Sequence, residues 1–474
     1  MKTILQIEHL LLRVALLLIV ICPFIGRSQD PFEKIYPSTM DQSGIDILPT
    51  SDGGYLIAGM TLTRTLGDTD LYLVKINNAG DTMWAKQYGG AQPDFAQRMI
   101  QTIDGNYLLA GFTMSYGAGG YDVWLVKIDP SGTFLWSKTY GSSNDESAHD
   151  LIATSDGNYM ITGQSNHDAL LLKVDPSGNT VWTKTYGGTQ YETSHSVKQC
   201  ADGGFIFVGQ TYSYGLGQGD VWLVKTDPNG TLSWTKTFGG SQTDEGQYIL
   251  ANNDGSFTID AETSSFGAGN IDIYVINTDA SGNLVWSNTY GGTNKDVTHI
   301  MQPTLDGGYI IGGISRSFGW SNPDMWFVKI NSTGSVTWTQ HYGGAQHEHC
   351  YSIKQTADGG YVAVGHSDSY SPHTEIMVVK MNAVGTLAVE EVSRTNTFNA
   401  YPNPTTGKLS VSFADNKSSR LLIIQDMVGQ VIYQKQVNSS TESLSVDLKG
   451  RAPGLYFLNT TSNGVVYTMK IILE

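Results

Sequence analysis

The tetrad Asp-Gly-X-aromatic begins at Asp52, Asp104, Asp156, Asp202, Asp254, Asp306 and Asp358, so successive copies lie 52, 52, 46, 52, 52 and 52 residues apart. Seven copies at a nearly fixed period make one supersecondary unit the building block of this chain. The short copy has five residues from Gly163 to Asp168, where the preceding copy has eleven from Gly111 to Asp122. A surface loop has been shortened there and the strands around it kept.

Within a unit, Asp-Gly marks a hairpin turn. Tyr107–Thr113 and Asp122–Ile128 read as strands B and C, and Asp129-Pro130-Ser131-Gly132 as a tight turn. Thr133–Tyr140 reads as strand D, and Asp150–Thr154 as a short strand A leading into the next tetrad. With 54 glycines and only 15 % charged residues, a helical bundle or coiled coil is excluded. The seventh unit stops after strand C and its turn, with Val389 where the others carry Trp. The missing strand D lies at the other end of the chain: Phe32-Glu33-Lys34-Ile35-Tyr36 aligns without gaps on Trp136-Ser137-Lys138-Thr139-Tyr140. A solenoid needs no such exchange, whereas an open ring leaves two unpaired sheet edges. The expectation is an all-β chain whose residues 29–392 form a seven-bladed β-propeller closed by the N-terminal strand. Trp84, Trp136, Trp182, Trp234, Trp286 and Trp338, one per unit in strand D, are expected to pack blade against blade.

Residues 1–28 read as a secretory signal peptide. A basic start precedes the apolar run Val14–Ile25, and small residues precede a cut near Ser28. No later run is apolar enough to span a bilayer, so no transmembrane segment is expected in the mature chain. The formal charge of −16 disfavours nucleic acid as a partner. Without the leader only Cys200 and Cys350 remain, which excludes a disulfide framework.

Past residue 392 the repeat ends. Residues 393–397 read as a polar linker, and 398–474 as a small Ig-like β-sandwich of short alternating strands. Charge changes sign as well: residues 393–474 hold eight basic and five acidic residues, against 17 basic and 38 acidic in 29–392. Tyr401-Pro402-Asn403-Pro404, Gly407, Asp426, Gly429, Gly454-Leu455-Tyr456 and Lys470 resemble the type A C-terminal sorting domain of type IX secretion substrates. That resemblance implies passage through an outer-membrane translocon, removal of the domain by a sortase-like protease, and release of the cargo or its attachment at the cell surface. The blade consensus is similar to repeats of other secreted propellers. Its Gly132-to-Trp136 hairpin resembles the Trp-docking motif of quinoprotein dehydrogenases, with a shorter turn and seven blades where that family has eight.

Candidate chemistry sits in the loops. An acid follows each strand D by a fixed interval at Asp94, Glu146, Glu192, Asp244, Asp296 and Glu348, and a second set ends the B-to-C loops, from Asp70 to Glu375. Two readings stand side by side: the carboxylates order their loops by accepting N–H bonds, or they hold calcium, a hard cation that takes several oxygens. The B-to-C loops also carry aromatics, Tyr116, Tyr214, Phe266, Phe318, Trp320 and Tyr370, which can tuck between loops or stack on a ligand. His341, His347, His349 and Cys350 lie close in sequence. Two function classes remain. The favoured one is an exported binding module for glycan, peptide or matrix. The alternative is a hydrolase or lyase using carboxylates of the loop face.

Overall fold

In the computed structural model, the described residues are 31–62, 69–318, 322–387, 398–413, 420–426, 431–438, 441, 443–462 and 465–474. The leader, the linker and Trp320 therefore lie outside the described residues. The chain divides into two compact units, residues 1–388 and 389–474.

The first unit is seven four-stranded antiparallel sheets. Blade 1 runs Gln42–Pro49 (strand A), Tyr55–Thr61 (B), Asp70–Ile76 (C) and Thr82–Tyr88 (D). The A strands of blades 2 to 7 are Asp94–Gln101, Glu146–Ala153, Glu192–Gln199, Asp244–Ala251, Asp296–Pro303 and Glu348–Gln355. In blade 7 the outermost strand is Phe32–Tyr36, paired with Glu375–Met381 in the register Phe32↔Lys380 to Tyr36↔Ile376. Trp136↔Lys127 to Tyr140↔Val123 is the same register in blade 2. The N-terminal strand thus completes the ring as a true strand D.

The repeated tetrad explains each blade's inner turn. Lys75 reaches Asp52 at 2.9 Å, and the pairs Lys127–Asp104, Lys173–Asp156, Lys225–Asp202, Lys329–Asp306 and Lys380–Asp358 repeat it. Burial works upward on Asp52, but hydrogen bonds from Lys75 and Thr50 hold its carboxyl down at about 2. Blade 5 departs: Asn277 replaces the lysine and donates to Thr258 Oγ1 at 3.1 Å. The hydrophobic core lies between neighbouring blades. Leu56, Leu71 and Leu73 of blade 1, for example, pack with Met99, Leu109 and Val126 of blade 2. The strand D tryptophans close this packing at the rim. A Cβ on Gly132, whose φ is +74°, would lie 2.7 Å from Trp84 Cη2, and Phe32 takes the tryptophan's place beside Gly80.

The A strands differ from the sequence reading. They run eight residues, and in blades 2 to 7 they begin at the periodic acid, which is therefore the first residue of a strand and buried, while blade 1 begins at Gln42. In every blade strand A is broken by a one-residue β-bulge. The bulge disrupts the polar/apolar alternation, which hides the first half of the strand from a pattern reading.

The second unit is a two-sheet sandwich. Phe398–Tyr401, Lys408–Phe413 and Ser443–Asp447 form one sheet; Arg420–Asp426, Val431–Val437, Gly454–Ser462 and Val465–Leu473 form the other. Leu409, Val411, Leu422, Ile424, Leu458 and Ile471 fill the space between them. These sheets fit an Ig-like domain.

Candidate binding site on the propeller axis

The bulged residue of each strand A is Ile45, Gln97, His149, His195, Gln247, His299 and Tyr351, one per blade. With Arg98, these seven side chains line one cavity of about 310 Å³. A bulge re-aims a side chain without ending the strand. Repeated seven times around a ring, it builds a polar cup on the axis. This site was not among those read from the sequence. Its trace there is a fixed repeat position that keeps no consensus, while the strand C and D positions around it hardly vary.

Most of the cup's ring nitrogens are held by neighbours. His149 Nδ1 lies 3.0 Å from the Ser194 carbonyl, and His195 Nδ1 lies 3.1 Å from Gln247 Oε1. His299 stacks on Tyr351 at 5.1 Å, and its Nε2 is buried without a hydrogen-bond partner. Burial, with His195 beside it, pushes His149 down to about 4. Burial and the Lys295 charge push His299 down to about 4 as well. At neutral pH His149 and His299 are therefore uncharged donors and acceptors.

The next layer along the strands is charged. Asp150 accepts from Lys198 at 3.1 Å, from Ser196 Oγ at 2.8 Å and from the Val197 N–H at 3.1 Å. Asp46 accepts from the Ile47 and Met99 N–H groups, both at 2.9 Å, and from Ser352 Oγ at 2.7 Å. Its cations stand farther off, Arg98 Nη1 at 3.9 Å and Lys354 at 4.0 Å. Lys198 also lies 4.4 Å from the Tyr248 ring centroid. Burial acts upward on the Tyr248 phenol, but the Lys198 charge holds it below its usual value.

The loop residues singled out from sequence form a separate set. Asp94 accepts from the Gly90 N–H at 2.7 Å, from Ser115 Oγ at 2.8 Å and from Thr113 Oγ1. Glu192 accepts from Gly188 N–H, Thr211 and Ser213; Asp244 from Gly240 N–H, Thr263 and Ser265. Asp296 accepts from Gly292 N–H, Ser315 and Ser317, Glu146 from Ser142 and Ser165, and Glu348 from Gly344 N–H and Ser367. Each carboxylate ties its own two loops together. Among the described residues no group of three or more His, Cys, Asp or Glu is arranged to hold a metal ion. Tyr116, Tyr214, Phe266, Phe318 and Tyr370 are 42–49 % exposed. The first four lie against their own blade's strand C aromatic, as Tyr214 does on Trp222 at 5.9 Å. Tyr370 donates to Glu33 at 3.1 Å.

The histidine-rich stretch does not stay together. His341 stacks on Trp326, whereas His349 stacks on His366 at 4.7 Å and lies 6.2 Å from His299. Cys350 is fully buried, which pushes its thiol up, and both Cys200 and Cys350 are free.

In the second unit, the Tyr401-Pro402-Asn403-Pro404 run fastens the first strand to the last. Asn403 Nδ2 donates to the Lys470 carbonyl at 2.6 Å, and Asn403 Oδ1 accepts from the Ile472 N–H at 2.9 Å. Gly407, at φ +126°, accepts at its carbonyl from the Leu448 N–H at 2.6 Å. Tyr456 is buried and donates to the Ala452 carbonyl at 2.6 Å. Residues 399–474 match the family described as the secretion system C-terminal sorting domain. The C-terminal unit is a sorting domain of that family. The sorting domain marks the chain for export through the secretion machinery, to the cell surface or beyond it. Gly454, which opens the strand pairing with the chain's end, has φ +155°.

Searching curated proteins gave no match to this chain. Among solved structures, the AfRom2 CNH domain is similar at TM-score 0.43 and 9 % identity, covering 74 % of this chain and 99 % of that one. The β-propeller domain of the Trilobed protease from Pyrococcus furiosus is similar at TM-score 0.43 and 9 % identity, covering 76 % and 100 %. No helix among the described residues is long and apolar enough to cross a membrane.

Proposed function

We propose that the chain is an exported binding module whose ligand enters the axial cup. One observation carries this reading: all seven A strands bulge at the same position, and the residues turned inward are two glutamines, three histidines, a tyrosine and a single isoleucine. A ring built only for packing has no use for that set, whereas a polar ligand does. The ligand class is glycan, peptide or matrix component, and the half-exposed loop aromatics offer a second contact surface to a longer polymer. The test is retention of the mature protein on a polysaccharide and peptide array, before and after His149→Ala and Gln247→Ala. Loss of retention in both variants at unchanged melting temperature supports the cup. Retention that survives both overturns it.

A specific observation favours a second reading, catalysis by a hydrolase or lyase. Glu245 and Glu262 face each other across strands A and B of blade 5. Burial and the facing Glu245 raise Glu262 to about 8, so it carries a proton at neutral pH. Glu245 lies 3.5 Å from Nε2 of His195, a wall of the cup. A protonated carboxyl beside a second carboxylate is an acid/base arrangement. Turnover of any retained polymer, abolished by Glu262→Gln with retention intact, establishes this reading.

A further inference from the structure

We propose that the cup recognises a carboxylate carried on a polyhydroxylated small molecule, the chemistry of a uronic acid sugar. This rests on the binding reading above and names its ligand class. The first argument is charge. Behind the ring stand three cations, Arg98, Lys198 and Lys354, against two carboxylates, Asp46 and Asp150, all with side chains no more than 20 % exposed. The residues 29–392 around them carry 17 basic against 38 acidic groups. That layer therefore carries one net positive charge, opposite in sign to the domain that holds it, while Glu245 stands against His195 of the ring itself.

The second argument is how loosely one cation is held. Asp46 is satisfied by two backbone N–H groups and a serine hydroxyl, and Arg98 Nη1 stays 3.9 Å away. Arg98 Nε lies 3.3 Å from Asp150 Oδ1 yet makes no aligned hydrogen bond, although it is buried. Arg98 also lines the cup. The guanidinium stands 5.7 Å over the Tyr248 ring, and its Nη1, beyond hydrogen-bond reach of Asp46, is suited to an acceptor entering from the cup.

The third argument is departure from the repeat. The positions of Lys198 and Lys354 hold Leu48, Ile100, Ile152 and Leu250 in four other blades and Gln302 in the fifth. Packing of the axis alone would keep them aliphatic.

The walls choose among carboxylates. Apart from Arg98 they are amides, imidazoles, the Tyr351 hydroxyl and Ile45. The lining itself holds no carboxylate, and Glu245 behind it faces His195 at 3.5 Å, so a zwitterionic amino acid fits less well than a sugar acid, whose hydroxyls pair with Gln97, Gln247 and the histidines. About 310 Å³ holds one or two sugar rings.

The experiment titrates the full mature chain by calorimetry with galacturonate, galactose and glutamate. Galacturonate is expected to bind and galactose, which lacks the charge, to bind at least about tenfold more weakly, since a hydrogen-bonded charge pair is worth about 1.5–3 kcal/mol; glutamate, whose ammonium group meets no carboxylate in the lining, is expected to bind more weakly than galacturonate. Arg98→Lys keeps the charge and removes the fork, and should weaken galacturonate about tenfold and galactose distinctly less. Because Arg98 also faces Asp46 and Asp150, Gln247→Ala serves as a second variant that spares the charged layer. It should weaken both sugars together. Galactose binding as tightly as galacturonate, glutamate preferred over both, or no binding of galacturonate overturns the carboxylate assignment and leaves the cup standing. Array retention indifferent to His149→Ala and Gln247→Ala overturns the cup itself.

Discussion

Tyr36 donates its phenolic hydrogen to the carbonyl of Gly80 at 2.9 Å, joining the chain's first strand to the outer turn of blade 1. Tyr140 does the same to Gly178, Tyr186 to Gly230 and Tyr342 to Gly385, each at 2.6 Å. The ring is therefore sealed by the bond that joins its ordinary blades. Tyr36→Phe should cost about 1 kcal/mol, the usual net value of one such bond. Removing residues 29–36 should cost several kcal/mol and promote aggregation through the bared edge of Glu375–Met381. Thermal melting of the two variants checks both, and a truncated chain that melts with the intact one refutes closure.

Two glycines with the same backbone separate strain from packing. Gly132 has φ +74° and would place a Cβ 2.7 Å from the Trp84 ring, whereas Gly105 has φ +80° with nothing within 4 Å. Gly105→Ala should cost about 1 kcal/mol, the left-handed backbone alone. Gly132→Ala adds the displacement of a tryptophan and should cost about 1–3 kcal/mol more. Equal losses in denaturant titrations would mean that the tryptophan does not depend on that close approach.

The difference between what the sequence reveals and what it hides follows from these same contacts. Phe32 could be placed in strand D because it stands at the phase of Trp136 and has the same neighbours. Repetition exposes what every blade shares, such as the tetrad that begins at Asp52. His149 and Arg98 were invisible for the converse reason. Arg98 stands in one blade alone, His149 recurs only as His195 and His299, and the bulge breaks the alternation that marks a strand at both places. Asp94 was legible as a periodic acid. Its engagement by Thr113 and Ser115 was not, because those partners lie 19 and 21 residues away across a loop.

That engagement can be tested directly. Asp94→Ala would leave the half-buried Gly90 N–H and the fully buried Thr113 hydroxyl without this acceptor. The expected loss is about 2–3 kcal/mol. A carboxylate that serves its loops gives that loss equally in calcium and in chelator. A melting temperature of the unmodified protein that drops on chelation would instead show that calcium holds the loops.

Removal of residues 399–474 should leave the propeller folded and stop its export. Each blade's core closes within the first unit, and Leu409 to Ile471 close theirs within the second. The shortened protein should melt cooperatively but be retained inside the producing cell, as read by immunoblot of culture fluid and cell fractions. Export of the shortened chain at the normal level would show that the sorting domain is not what carries it out.

Stability should vary with pH through groups that pull in opposite directions. Asp260 is fully buried between blades 5 and 6, accepts from Thr298 Oγ1 at 2.5 Å, and is pushed up to about 8 by burial. A raised carboxyl contributes its stability below the unfolded value near 4 and loses it as pH rises toward 8. His149 and His299, lowered to about 4, act the other way: the unfolded chain takes up their protons first, so stability falls as pH drops from about 6.5 to about 4. Asp260→Asn keeps the shape and removes the ionisation. The variant should melt close to the unmodified protein at pH 5 and pull ahead of it by a few kcal/mol at pH 8. Its loss of stability on the acid side, which belongs to the histidines, should be unchanged. Parallel curves from pH 5 to 8 would mean that Asp260 is already ionised in the folded chain.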